Sequence, residues 1–455
     1  MPSFFVESFG CRATQADGAA IERDLLARGM HRATEPDAAS IVVLNTCTVT
    51  AAADQDARSA IRRIHRQSPE AQILVTGCYA QRAPEELAAI PGVSYVVGNS
   101  HKHRIGEIAC GPGNFVALGS LAPTNGCRGP TTFVSDIFAH TQLLAAPVFE
   151  GESGWERTRP NLKVQDGCDN RCSFCVIPHV RGQSRSLALD EVIREADALV
   201  QAGYKELVLS GINLGRWGRD LLTPDGACPV STTQHFAGLV RTLLDRTTIE
   251  KLRISSVEPM DWSNELIELV ASSPRIAKHA HVPLQSGSDR ILRRMHRKYR
   301  PWHYADRIRR IRAAMPDAAI GADVMVGFPG ETDEEFEESR RFIEELPFTY
   351  LHVFTFSARP GTPAASMRGQ IRGDIARERN RILRELAAEK NLRFRESFVG
   401  RAIEAITLQR QHAHETEALT DNYLKLRIAG EHAPNRWLKL RVAAVSSDGL
   451  IGVAA

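Results

Sequence analysis

Apolar and polar positions alternate along this chain in blocks that change period. Three runs rich in β-branched and aromatic residues, FFVESFG, SIVVLNT and AQILVTG, are each followed by a segment of helical period, GAAIERDLLARG, DQDARSAIRRIHRQ and PEELAAI. Strand then helix, three times over, predicts a parallel sheet with right-handed crossovers. From about residue 160 the alternation resumes with LKVQDG, ELVLSGIN, KLRISSVEP, HAHVPLQSG, AAIGADVMVGF and YLHVFTFSA, separated by helical segments such as ALDEVIREADALVQAG and DEEFEESRRFIEEL. Six such units in a row predict an open or partial barrel, a fold that carries its chemistry at the carboxyl ends of its strands. Beyond about 365 the segment RGQIRGDIARERNRILRELAAEKNLRFRES is helical in period. The tail returns to short strands, AIEAITLQ, NYLKLRIAG, WLKLRVAAVSS and GLIGVAA, which predict a small antiparallel β-barrel. The fold class is α/β, divided into an N-terminal parallel-sheet domain (1–108), a Gly-, Pro- and Thr-rich connector (109–153), a central barrel (154–392) and the tail barrel (393–455).

A length of 455 residues agrees with about three domains. No run approaches the roughly 18 to 20 apolar residues of a membrane helix. The start, MPSFFVESFG, has no basic region and places Glu7 inside its apolar run, so a soluble cytoplasmic protein is expected, with oligomeric state left open. The net charge of +3 announces no nucleic-acid partner by itself. Its distribution does: Arg290 to Arg312 holds ten Lys and Arg against the single acid Asp306, and Arg368 to Arg395 holds nine against four acids. Concentrations of this kind suit phosphate contacts, and Tyr299, Trp302, His303 and Tyr304 interleave possible stacking groups. Arg293, Arg294, Arg297 and Lys298 are the candidates there, with Tyr423 and Lys425 in the tail.

The nine cysteines change the picture more than the charge does. An odd count in a chain without a secretory signal argues against a disulfide framework and for metal or redox chemistry. Cys168, Cys172 and Cys175 form C-x3-C-x2-C within GCDNRCSFCVIPHVRG, three soft ligands on one loop with no fourth Cys nearby. A zinc ribbon needs four ligands and a bacterial ferredoxin run has another spacing, so the pattern fits a cubane iron–sulfur cluster with one open iron. Cys11, Cys47 and Cys78 each close one of the three N-terminal strands. In a parallel sheet the carboxyl ends share one edge, so these three thiols can converge on a second cluster; a Cys at a strand end is also often a buried small residue. Cys110, Cys127 and Cys228 show no ligand spacing and read as structural or incidental. At the barrel's strand ends stand Asn213, Glu258, Gln285, Ser286 and Ser357, where a turn or cap role weighs equally with a ligand contact.

The C-x3-C-x2-C loop resembles that of the radical S-adenosylmethionine superfamily, whose core is a partial (β/α)6 barrel. Cys11, Cys47 and Cys78, in ESFGC, LNTCTVT and VTGCYAQ, resemble the amino-terminal cysteines of the methylthiotransferases. The strings KVQDGCDNRCSFCVIPHVRGQSRS, HVPLQSGSDRILRRMHRKY, DVMVGFPGETDEEF and HVFTFSARPGTPA are most similar to the branch acting on threonylcarbamoyladenosine in tRNA. The branches acting on isopentenyladenosine in tRNA or on a ribosomal protein aspartate are similar in plan, and the tail resembles the TRAM module. The resemblance implies two 4Fe-4S clusters. Cys168, Cys172 and Cys175 would hold one that binds S-adenosylmethionine and releases a 5′-deoxyadenosyl radical to abstract the hydrogen at carbon 2 of the nucleoside. Cys11, Cys47 and Cys78 would hold a second that carries the sulfur. It further implies tRNA as partner, an electron donor such as flavodoxin or ferredoxin, and Gly211, Asn213, Gln285 and Asp323 as walls of the S-adenosylmethionine site. A non-catalytic iron–sulfur RNA-binding protein is the alternative from another class. Two departures stand out, Thr14 where the family usually shows Asn and His179 where Tyr is common, both expected to lie clear of the ligands.

Overall fold

The computed structural model describes residues 2–110, 130–139, 158–221, 235–412 and 414–454. The first sheet has six strands, all parallel, in the order His31–Arg32, Ser3–Ser8, Ile41–Thr46, Gln72–Gly77, Val93–Gly98, Thr131–Phe133. Ile41–Thr46 is buried along its whole length, as expected of a central strand covered on both faces. One core packs under helix Ala51–Gln67, which buries Ala57, Ile61 and Ile64; another packs under helix Arg12–Ala27, which buries Ile21 and Leu25. The sixth strand comes from inside the segment read as a connector. Of that segment, 111–129 and 140–153 lie outside the described residues, and so do Cys127 and Cys228.

The six predicted barrel strands are present as two three-stranded parallel sheets. Asn161–Lys163, Glu206–Ser210 and Lys251–Ile254 form one, and His279–His281, Ala319–Val326 and Tyr350–Thr355 the other. Parallel bridges Leu252 to Ile276 and Ser256 to His281 join the two into one curved wall, so the strands run in chain order and leave a gap between the first and the sixth. The largest apolar core lies between this wall and its outer helices. Helix Asp333–Glu345 starts with a capping box between Thr332 and Glu335.

The tail is a closed five-stranded barrel, Ala402–His412, Glu415–Thr420, Lys425–Ala429, Leu450–Ala454 and Trp437–Val445 in spatial order. Two details differ from the antiparallel four-strand expectation. ETEALT forms a fifth strand despite its two acids, because those acids stay partly exposed while Thr416, Ala418, Leu419 and Thr420 are buried. Closure also pairs Lys425–Ala429 with Leu450–Ala454 in parallel. The 24-residue helix Gly373–Glu396 leads into the tail. The tail docks under the central barrel: Arg253, fully buried and bonded to Glu206 at 2.6 Å, donates to the carbonyls of Thr420 (3.0 Å) and Asp421 (2.9 Å).

Candidate iron–sulfur and substrate site

Register brings the N-terminal trio together. Ser8 pairs with Asn45 and Thr46 with Gly77, so Cys11, Cys47 and Cys78 follow the carboxyl ends of three adjacent strands. Two glycines permit the approach. Gly10 has φ of +104°, and a Cβ there would lie 2.5 Å from the Cys47 Cβ; Gly77 has φ of +97°, and a Cβ there would lie 2.3 Å from the Thr46 carbonyl oxygen. Cys47 and Cys78 are buried and Cys11 is exposed. Burial first, and the neighbouring Cys78 and Cys11 sulfurs after it, push the Cys47 thiol up to about 12. The second trio behaves alike: burial and then Cys172 and Cys168 push Cys175 up to about 12. Two sets of three cysteines, with Cys47 in one and Cys175 in the other buried where a bare thiolate is disfavoured, form donor sets matched to a cationic iron–sulfur core.

The C-x3-C-x2-C loop is fixed from both sides. Cys168 N–H donates to Gly182 O (3.1 Å), and Ser173 bonds Met295 O through its N–H (3.1 Å) and Arg294 O through its hydroxyl (2.8 Å). Asn213 Nδ2 stands 3.5 Å from Cys168 Sγ and Arg297 Nη1 3.2 Å from Cys172 Sγ, with the other Arg297 nitrogen on Glu258. Asn213 Oδ1 and Gln285 Oε1 are buried with no hydrogen-bond partner, and Gln285 holds φ of +67° in a non-glycine residue. The orphaned acceptor of Asn213, whose Nδ2 faces Cys168, and that of the strained Gln285 are groups that a polar ligand would satisfy. Gly211 lies against Gln165, whose Oε1 accepts from the Asn213 N–H at 2.7 Å.

The N-terminal domain spans the gap of the open barrel. On one edge, Asp17 accepts from Lys102 (2.9 Å), Arg181 (3.0 Å) and Lys163 of the first barrel strand. Arg181 and Lys163 also bind Asp166. On the other edge, Arg359 bonds Thr48 Oγ1 (2.8 Å) and Asp54, and the Ala51 N–H donates to Ser357 Oγ (3.1 Å). Val176 and Val180, which follow Cys175, pack directly on Cys78. Asn99 Nδ2 donates to Val180 O at 2.7 Å and lies 3.6 Å from Cys78 Sγ. The two sulfur trios therefore sit on facing sides of one junction.

Several expectations change. Arg297 is 7% exposed and faces Cys172, Glu258 and Tyr299, so it has no free surface for RNA. Tyr299 and Tyr304 are core residues whose hydroxyls bind the carbonyls of the fourth strand's exit. Tyr423 points its ring into the barrel floor against His279 and Tyr350 instead of outward. Arg293 is exposed but tied to Asp289 at 2.8 Å, whereas Lys298 and Lys425 are exposed and Arg294 is half-buried. Thr14 does reach a candidate ligand, with its hydroxyl 3.5 Å from Cys11 Sγ, while His179 is exposed. Asp323 lies against His281 and His352, and its carbonyl accepts from the Gln285 N–H. The junction residues Asp17, Lys163 and Arg181 were missed. Their signal was charge inside apolar periods, as in LKVQDG.

An open (β/α)6 barrel with three cysteines at its first strand's exit, completed by a sheet domain carrying three more, defines a radical S-adenosylmethionine enzyme of the two-cluster kind. The Radical SAM superfamily model matches residues 162–343, and that of the Uncharacterized protein family UPF0004 matches 3–98. The threonylcarbamoyladenosine tRNA methylthiotransferase MtaB of Bacillus subtilis is 38% identical over 94% of this chain and 91% of its own length. A tRNA-2-methylthio-N(6)-dimethylallyladenosine synthase of Novosphingobium aromaticivorans is 33% identical over 90% of this chain and 87% of its own. In fold, the chain is similar to the radical S-adenosylmethionine methyltransferase TsrM of Kitasatospora setae, solved with cobalamin and a 4Fe-4S cluster (TM-score 0.57, 17% identity, 80% of this chain and 77% of that one). The chain belongs to the threonylcarbamoyladenosine tRNA methylthiotransferase family. No helix among the described residues is long and apolar enough to cross a membrane.

Proposed function

We propose that this protein methylthiolates carbon 2 of N6-threonylcarbamoyladenosine beside the anticodon of tRNA, in the cytoplasm, with electrons from a flavodoxin- or ferredoxin-type donor. The observation that carries the reading is the facing pair of three-cysteine sets across one buried junction. Cys168, Cys172 and Cys175 would hold the cluster that binds S-adenosylmethionine, and Cys11, Cys47 and Cys78 the one that carries sulfur. When bound, these groups supply homolytic activation of a carbon–hydrogen bond and the sulfur and methyl to be transferred. The chain's own work is positional. Asn213 and Gln285 offer unpaired acceptors to the ligand beside the cysteine loop, and Arg297 keeps a cation against Cys172 while Glu258 anchors it. Lys298, Lys425 and the exposed Trp302 remain surface candidates for RNA contact.

Mass spectrometry of tRNA nucleosides from a strain lacking the gene tests the reading. The methylthio form of threonylcarbamoyladenosine should vanish, return with the wild-type gene, and fail to return with Cys168→Ala or Cys47→Ala. Persistence of the methylthio form in the deletion strain, with no second gene of the family present, refutes it. Loss of methylthio-dimethylallyladenosine instead assigns the related substrate.

A further inference from the structure

Inward-facing side chains of the fourth, fifth and sixth barrel strands form a polar set that the cysteine chemistry does not use. His352 Nδ1 lies 3.2 Å from Asp323 Oδ1, and His281 Nε2 lies 3.3 Å from the same oxygen. The second pair is off the line of a hydrogen bond, so His281 Nε2 is buried without a partner, while its Nδ1 is fixed by Ser256 Oγ at 2.6 Å. The set lies within the barrel. Gln285 follows His281 by four residues, and its N–H bonds the Asp323 carbonyl at 2.8 Å, so the set lies directly beside Gln285 on the barrel wall. Below it the lumen ends: Tyr350 stacks on His281 (5.9 Å between centroids) and meets His352 at a tilt (5.4 Å), and Tyr423 of the tail stacks on Tyr350 (5.9 Å). His352 is 62% exposed, which places it on open space in this lumen. Arg12, next to Cys11, has Nη1 buried without a hydrogen-bond partner, and its charge acts on His279 and Tyr350.

We propose that His281, Asp323 and His352, with Arg12, form the pocket that reads the polar N6 substituent of the substrate nucleoside. This rests on the function proposed above and deepens it. A threonylcarbamoyl group offers an amide N–H, a hydroxyl and a carboxylate. Asp323 accepts from the first two, and Arg12 and the imidazoles receive the carboxylate. A dimethylallyl group at the same place would leave a carboxylate, two imidazoles and a guanidinium facing hydrocarbon. A site built to hydrogen-bond its ligand discriminates strongly against an analogue lacking those groups, because its own buried polar atoms are then left unpaired. The lumen therefore favours the threonylcarbamoyl branch of the family by its polarity.

The test measures binding of anticodon stem-loops carrying threonylcarbamoyladenosine, dimethylallyladenosine or plain adenosine to the anaerobically reconstituted protein, alongside kcat and KM. Wild type should bind the threonylcarbamoyl loop at least about tenfold tighter than the plain loop. His352→Phe and Asp323→Asn should bring that ratio towards one without changing affinity for the plain loop, and raise KM more than they lower kcat; His352→Gln should recover part of the preference. Variants that keep the wild-type ratio overturn the inference. A wild type with no preference for the threonylcarbamoyl loop overturns the proposed substrate itself. A stoichiometric non-iron divalent metal, present in wild type and lost in His352→Phe, also overturns the inference, because it makes the trio a metal site.

Discussion

Asp17 anchors one of the two edges by which the N-terminal sheet domain grips the barrel, and Asp17→Ala should loosen that edge. Its side chain is 1% exposed and takes three cations, Lys102, Lys163 and Arg181. Burial alone would push this carboxyl up; the three cations prevail and hold it well below the usual carboxylate range. Among the described residues, removing it leaves Lys163 and Arg181 with Asp166 as their paired carboxylate, and leaves Lys102 with Asn45 Oδ1 at 3.4 Å. Breaking a buried pair from one side costs about 3–5 kcal/mol, and three stranded cations put this case near the upper end. At ~2–4 °C per kcal/mol for a unit of 150–250 residues, the midpoint should fall by on the order of 10 °C. Calorimetry under argon, with Asp24→Ala in the exposed Arg28 pair as control, measures this. A loss below about 1 kcal/mol would refute the reasoning. The pH dependence supplies a second reading. A depressed carboxyl contributes stability that is present above its unfolded value of ~3.9 and is lost as pH falls through its folded value. The gap between wild type and Asp17→Asn should therefore hold at neutral pH and shrink below about pH 4.

Two further outcomes follow from close approaches elsewhere. Gly10→Ala places a Cβ 2.5 Å from the Cys47 Cβ at a φ of +104°, so reconstituted iron should fall from about eight per chain towards about four, while the far-UV circular dichroism stays unchanged; full iron loading would show that the Cys11 turn yields. Tyr423→Ala removes the ring packed on His279 and Tyr350, which should cost about 1–3 kcal/mol and expose the chain after Glu396 to limited proteolysis. Unchanged cleavage would show that the remaining contacts, among them Arg253 on Thr420 and Asp421 and Asn435 on Gly203, hold the tail without this ring.

Local pattern and spacing determine much of this protein. The strand-helix periods of the first sheet and all six barrel strands are legible in sequence because each strand lies in a short run rich in apolar residues, with helical segments between the runs. The C-x3-C-x2-C loop is legible because its ligands are neighbours. Only tertiary structure decides what depends on distant side chains meeting. Arg297 reads as one cation in a basic run, yet the turn after Met295 buries it against Cys172 and Glu258. Tyr423 reads as a stacking surface, yet the tail's docking turns it into the barrel floor. Asp17, Lys163 and Arg181, like His281, Asp323 and His352, come from separate segments, and no sequence period encodes their convergence. Backbone propensity and burial act over a few residues and leave a periodic trace. A charge network or lumen is set by how whole domains pack, and that leaves in the sequence only isolated polar residues inside apolar runs.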